Sequence, residues 1–213
     1  MKKIISCIIA IAALATAQVK ADTFNWGITA GMNTTTPEFE GGKLTNWEPD
    51  SETGWYAGLQ FRFAAPVIGL GADFGIVYSQ ETLNCDEAGI DKESVGYISV
   101  PVHLRYELRL PIVNDIVTPF VLTGPQISYN VKKLDEELNK KEDRFKNFNT
   151  KDLVCHWDLG GGLLLFERLQ VGYHYSFPIT NLAEFNAVNA EQIETVKSEF
   201  KMGTHHLGVT LFF

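Results

Sequence analysis

The residues best equipped for chemistry in this chain are His156 and Asp158, which flank Trp157. In an extended strand residues i and i+2 share a face, so this imidazole and this carboxylate point the same way. A histidine beside a carboxylate is the acid–base half of a hydrolase or acyltransferase, and outer-membrane enzymes that act on lipid A place such a pair next to a serine. The chain has no Gly-x-Ser-x-Gly and no serine with a defensible partner. A pair at this spacing also arises by chance in any strand, so the expectation is no catalytic residue. His205 and His206 are adjacent, hence on opposite faces of a strand, and cannot chelate one ion together. Gly69-Leu70-Gly71 and Gly160-Gly161-Gly162 lie inside strand-like sequence rather than before a helix, which disqualifies them as phosphate loops. No metal and no cofactor is expected.

The remaining titratable residues form a pattern of their own. Arg62, Asp73, His103, Arg105, Glu107, Asp158, Arg168 and His174 each fall on the less greasy face of an alternating segment, with Tyr56, Gln60, His156 and Gln170. If those faces line a narrow interior, the charges must pair with one another or with trapped water. The expected network joins Arg62, Arg105 and Arg168 to Asp73, Glu107 and Asp158, because the planar guanidinium satisfies carboxylates bidentately. With partners of both signs available, a structural role is expected over a proton or ion path.

What must hold these residues is a set of strands. Phe24, Trp26, Ile28, Ala30 and Met32 alternate with Asn25, Gly27, Thr29 and Gly31; Ile98, Val100, Val102, Leu104, Tyr106 and Leu108 alternate with Tyr97, Ser99, Pro101, His103, Arg105 and Glu107. The chain ends the same way, with His205, Leu207, Val209, Leu211 and Phe213 on one face. This is a period of two. Such segments are expected near 24–32, 54–63, 67–79, 95–108, 117–130, 153–166, 168–178 and 203–213. Long polar stretches follow the first, third, fifth and seventh, and short connections follow the second, fourth and sixth. Long loops therefore share one rim and short turns the other.

That asymmetry predicts an all-β fold: an eight-stranded antiparallel up-and-down transmembrane β-barrel, with long extracellular loops, short periplasmic turns and both termini on the periplasmic side. Outward aromatics gather at both rims: Phe24, Trp26, Phe61, Phe63, Tyr106, Phe120 and Phe213 near the short turns, and Trp55, Tyr78, Trp157, Tyr175 and Phe177 near the long loops. The competing fold is a soluble barrel of the lipocalin type, with its apolar face inward. Its exterior would be studded with Lys and Glu, whereas the second face here is largely Gly, Ser, Thr, Asn and His. In the fifth segment Phe120 and Leu122 are out of phase with Ile127 and Tyr129, so a bulge at Gly124-Pro125 is expected. The stretches Lys132 to Lys151 and 182–200 are read as solvated loops capping the mouth, with short amphipathic helices as the alternative.

The N-terminus adds a destination. Lys2 and Lys3, an apolar run from Ile4 to Leu14 and small residues at Ala17 and Ala21 read as a secretory signal peptide over residues 1–21, cleaved after Ala21 or, as a second acceptable site, after Ala17. The barrel domain is then 22–213. Removal takes three of the 18 basic residues and none of the 26 acidic ones, leaving a net charge of −11 and making nucleic acid an unfavourable partner. Cys85 and Cys155 remain in an oxidation-permissive setting, where they either pair or stay as separate thiols.

Several phrases resemble the PorT-like outer-membrane β-barrel family. Tyr97-Ile98-Ser99-Val100-Pro101-Val102-His103-Leu104-Arg105-Tyr106 is similar to the family strand in which an apolar-Pro-apolar core ends on an aromatic, and Pro119 to Pro125 looks like the strand after it. Asp158-Leu159-Gly160-Gly161-Gly162 and Tyr173-His174-Tyr175-Ser176-Phe177 look like the sixth and seventh, although Phe177-Pro178 stand where the family often has glycine. The resemblance implies a place in the cell outer membrane, no cofactor, and a secretion role for some members. The functional expectation is a non-enzymatic monomeric barrel in contact with outer-membrane lipid. It would act as an envelope scaffold or bind a protein partner through its extracellular loops. The alternatives are a secretion component, a lipid A-modifying enzyme and a narrow pore.

Overall fold

The computed structural model describes residues 24–40, 52–65, 69–85, 90–108, 116–132, 149–180, 183–189 and 192–213. The expected signal peptide, residues 1–21, lies outside the described residues. Among those described, no helix is long and apolar enough to cross a membrane.

Among the described residues ten strands occur, in chain order β1 (Phe24–Glu40), β2 (Glu52–Ala64), β3 (Leu70–Cys85), β4 (Ile90–Glu107), β5 (Val117–Lys132), β6 (Asn149–Thr150), β7 (Leu153–Leu165), β8 (Leu169–Pro178), β9 (Ala183–Asn189) and β10 (Gln192–Phe212). Eight of them close a ring in the order β1-β2-β3-β4-β5-β7-β8-β10, every neighbour pair being antiparallel. The seam is the β1–β10 pair, in register from Gly27↔Phe212 to Glu40↔Glu199. Closure leaves no edge in the membrane, which is what allows strands to stand in hydrocarbon.

The side chains are distributed inside out relative to a soluble protein. Neighbours on β4 make the point: Leu104 is 60% exposed and Arg105 0%. Outward positions carry Ile28, Leu59, Ile76, Val102, Leu159, Leu207 and Val209, all exposed, while inward ones carry buried Thr29, Asp73, Ser99, Asp158 and Thr210. Outward Phe24, Trp26, Phe63, Tyr106 and Phe213 form one aromatic belt, and Trp55, Trp157 and Phe177 belong to the other. Phe61 stacks on Phe74 at 5.0 Å, and Trp55 meets Tyr78 at 5.5 Å.

Three expectations need correction. No bulge occurs at Gly124-Pro125: the β5–β7 register runs unbroken from Val117↔Leu165 through Gly124↔Asp158 to Tyr129↔Leu153. Phe120 and Leu122 are instead buried in the lumen, and Val121 faces outward. Both faces of this half-strand are apolar, so its period could not reveal that the interior wanted a ring there. Second, the described residues of the stretch 182–200, namely 183–189 and 192–200, are strand rather than helix or structureless loop. β9 and the upper half of β10 continue the barrel wall, with Phe200↔Ala183 and Lys197↔Asn186 paired and β6 added beside β9. Residues 133–148, most of the other stretch, lie outside the described residues.

The third concerns the turn between β7 and β8. Phe166 and Glu167 have φ of 52° and 57°, and the Arg168 amide donates to the Leu165 carbonyl at 3.0 Å. This is the two-residue type I′ hairpin, which matches strand twist but usually employs Asn and Gly. Arg168 thus belongs to the turn, and its side chain is exposed. Replacing Glu167 with Gly is expected to stabilise the barrel by about 1 kcal/mol. The check is urea unfolding in lipid vesicles, where an unchanged or lower midpoint would contradict the strain.

Candidate functional site

The lumen is where the polar chemistry collects, and it is built in two tiers. The lower tier, nearest the short turns, centres on Arg105. Its Nη1 donates to Asp73 Oδ2 at 2.9 Å and to Gln170 Oε1 at 2.7 Å, and its Nε donates to Glu107 Oε1 at 2.9 Å. The guanidinium carbon lies 3.7 Å from the centroid of the Phe120 ring. Arg62 reaches the same carboxylate, with Nε donating to Glu107 Oε1 at 2.8 Å and Nη2 at 2.6 Å from it. A second ring, Phe212, lies 5.9 Å from the Arg62 guanidinium carbon. Registry explains the meeting, since Arg62 pairs with Asp73 across β2–β3 and Glu107 with Phe120 across β4–β5. Two arginines and two carboxylates balance one another, and the rings cover their faces.

The upper tier is a histidine cluster. His103 Nε2 is 2.8 Å from Asp158 Oδ2, joining β4 to β7 across the lumen. His174 stacks on His206 with centroids 4.4 Å apart and planes 12° off parallel. Tyr56 meets His206 edge-on at 5.4 Å. A Cβ on Gly31 or Gly208 would collide with the Tyr56 ring, so these glycines cut the slot in which it lies. Between the tiers lies a cavity of about 70 Å³ lined by Thr29, Gln60, Ser99, His103 and His174 among others, room for a few hydrogen-bonded waters. Above the upper belt, three residues beyond Tyr78, Glu81 is buried at the mouth. Burial pushes its carboxyl up to about 7, against the opposing pull of the Thr35 hydroxyl at 3.3 Å.

Of the residues singled out from sequence, the structure brings Arg62, Asp73, Arg105 and Glu107 into one cluster and His103, Asp158 and His174 into the tier above it. Arg168 is not brought to Asp158. It has the inward parity of its strand but sits at the rim, one residue before β8 begins, where its side chain is exposed and its carbonyl accepts from the Phe212 amide at 2.8 Å. His103 takes its place on Asp158 because the β4 and β7 side chains meet at the same height. Phe120, Phe212 and His206 were not foreseen as lumen partners; for His206 the parity opposite to His205 was the available signal. Among the described residues Cys155 is a free thiol. The side chain of Cys85 is not among those described, so the proposed pairing lies outside them.

The His156/Asp158 pair lies on the inward parity of β7, where Asp158 is bound by His103 and Ser176 stands opposite it in the β7–β8 register. Among the described residues no cluster of three or more His, Cys, Asp or Glu could hold a metal ion.

The profile of the family described as outer membrane protein beta-barrel domain matches residues 16–184. No curated protein matches the chain significantly. Among solved structures, the outer membrane protein OprG of Pseudomonas aeruginosa is similar over 90% of this chain and 96% of its own, with a TM-score of 0.57 and 14% identity. Ail, the attachment invasion locus protein of Yersinia pestis, aligns over 90% and 99% with a TM-score of 0.43 and 13% identity. Neisserial surface protein A aligns over 88% and 97% with a TM-score of 0.43 and 11% identity. At these identities the likeness to OprG speaks for the fold alone.

Proposed function

Because the chain belongs to the outer membrane protein β-barrel domain family and resides in the cell outer membrane, we propose that it is a non-enzymatic, monomeric barrel whose work is done at the long-loop rim, as an envelope scaffold or as a surface that binds a protein partner. The observation that carries this reading is the charge-balanced floor formed by Arg62, Asp73, Arg105 and Glu107 with Phe120 and Phe212. It occupies the lower lumen of an eight-stranded barrel, which is only wide enough for side chains, and this supports the reading over a solute pore. What extends beyond the upper belt is wall: β1, β3, β4 and β10 all continue past the level of Trp55 and Tyr78.

Two measurements test it. In planar bilayers the folded protein is expected to show no steady nanosiemens-scale conductance; such conductance would make the pore reading correct. On intact cells, reduced protein is expected to react through Cys85 with a membrane-impermeant maleimide, since the β3–β4 connection is placed outside. Labelling only after the outer membrane is breached would invert the topology. A secretion-linked role is the second reading, favoured by the resemblance of the Tyr97 to Tyr106 strand to the PorT-like family, and a partner recovered by crosslinking at the rim would decide between a secretion component and a scaffold.

A further inference from the structure

Of the five histidines in the chain, only His205 faces outward. Phe213, just past β10, and the outward β10 residues Leu211, Val209 and Leu207 are all apolar and exposed, and His205 comes next, also exposed. Counted upward from the short-turn end in the same way, the matching outward position is Trp55 on β2, Tyr78 on β3, Trp157 on β7 and Phe177 on β8. Four of the seven other strands of the ring carry an aromatic at this count, so His205 sits at the level of the upper belt, at the depth where the wall passes from hydrocarbon to headgroups.

Its surroundings are arranged for hydrogen bonding. The Tyr173 hydroxyl lies 2.6 Å from His205 Nδ1, and Tyr173 itself is 47% exposed. With the phenol donating, the imidazole proton resides on Nε2. The Tyr175 ring packs on the imidazole at 4.6 Å and lies across Gly203, where a Cβ would strike its hydroxyl. Thr34 pairs with His205 across the seam, and Lys201 is two outward positions above it on β10. An ionisable side chain on a lipid-facing wall is costly unless something there binds it. The imidazole Nε2–H and the threonine hydroxyl are donors and Lys201 adds positive charge above them, a set that suits phosphate oxygens.

We propose that His205, Tyr173 and Thr34, with Lys201 above them, form a seat on the outer wall of the barrel for the phosphorylated headgroup of an outer-leaflet lipid of the lipid A type. The assignment rests on the orientation given above, with the long-loop rim outside. Phosphate is the recognised group, and Tyr173 acts by holding His205 in the tautomer that presents Nε2–H.

The full chain, folded in detergent, is titrated with bisphosphorylated lipid A, dephosphorylated lipid A, phosphatidylglycerol or inorganic phosphate, and binding is read from the temperature at which the folded band on a gel is lost. Bisphosphorylated lipid A is expected to bind about tenfold more tightly than the dephosphorylated form. His205→Leu should abolish that preference, Tyr173→Phe should weaken it, and Val209→Ile, on the same wall below the seat, should leave it intact. Equal binding of the two lipid A forms, an unchanged preference in His205→Leu, or equal binding of phosphatidylglycerol or inorganic phosphate would each overturn the proposal. The detergent titration does not depend on which rim faces the medium, so the maleimide experiment on Cys85 overturns the orientation separately.

Discussion

Replacing Arg105 with methionine is expected to destabilise the barrel by about 3–5 kcal/mol, the cost of leaving buried carboxylates without their cation. Arg105 is 0% exposed and serves Asp73, Glu107 and Gln170 at once while its flat face covers Phe120. Truncating it strands Asp73, whose ion-pair partner it is at 2.9 Å, and leaves Glu107 with Arg62 alone of its two arginines. The measurement is urea unfolding of protein folded in lipid vesicles. The double variant Arg105→Met, Asp73→Asn should recover most of the loss, since it removes one cation with one carboxylate and leaves the Arg62–Glu107 pair in place. A single variant as stable as the parent would mean that the lower tier is hydrated and the ion pairs contribute little.

Replacing Leu104 with Arg, one residue away, tests the opposite face. An arginine at the midplane of the lipid-facing wall costs about 2–4 kcal/mol, so the variant should fold into vesicles in lower yield and unfold at lower urea. Ser99→Thr is the companion on the inward face of the same strand, where the Ser99 hydroxyl meets that of Ser128 at 2.8 Å, and it should be tolerated. Equal penalties for the two changes would show that the strand faces had been exchanged.

How much of this could be read from the chain depended on the reach of each interaction. Face assignment is local, so the parity of β4 and of residues 203–213 was plain from alternation alone; the connections were not, since β3 and β4 run on into the polar stretch 80–94 and leave only 86–89 between them. Depth and partnership are not local. His103 and Asp158 are 55 positions apart, and only the stagger between strands decides that they meet while Arg168, of the correct parity, ends below them at the rim. Where both faces of a strand are apolar, as around Phe120, period carries no information; the ring was drawn inward by a guanidinium on another strand. The upper part of β10 was hidden for another reason. Ile193, Val196 and Phe200 are spaced as on a helix, and their strand conformation follows from pairing with β9 and with the end of β1, whose threonine run favours extended backbone.

The seam between the first and last strands sets the order of events in assembly. Thr210 donates to Thr29 across 181 positions of sequence, and β10 is the last of the ring's strands in chain order. No closed intermediate can exist until β10 has arrived, and a partial sheet would carry β1 and its last added strand as long, unpaired and sticky borders. Loop closure over such a distance is slow and is rewarded only at its last step. The protein must therefore travel to its membrane as an unstructured chain kept apart from its own kind, and acquire nearly all of its stability in one concerted event on arrival.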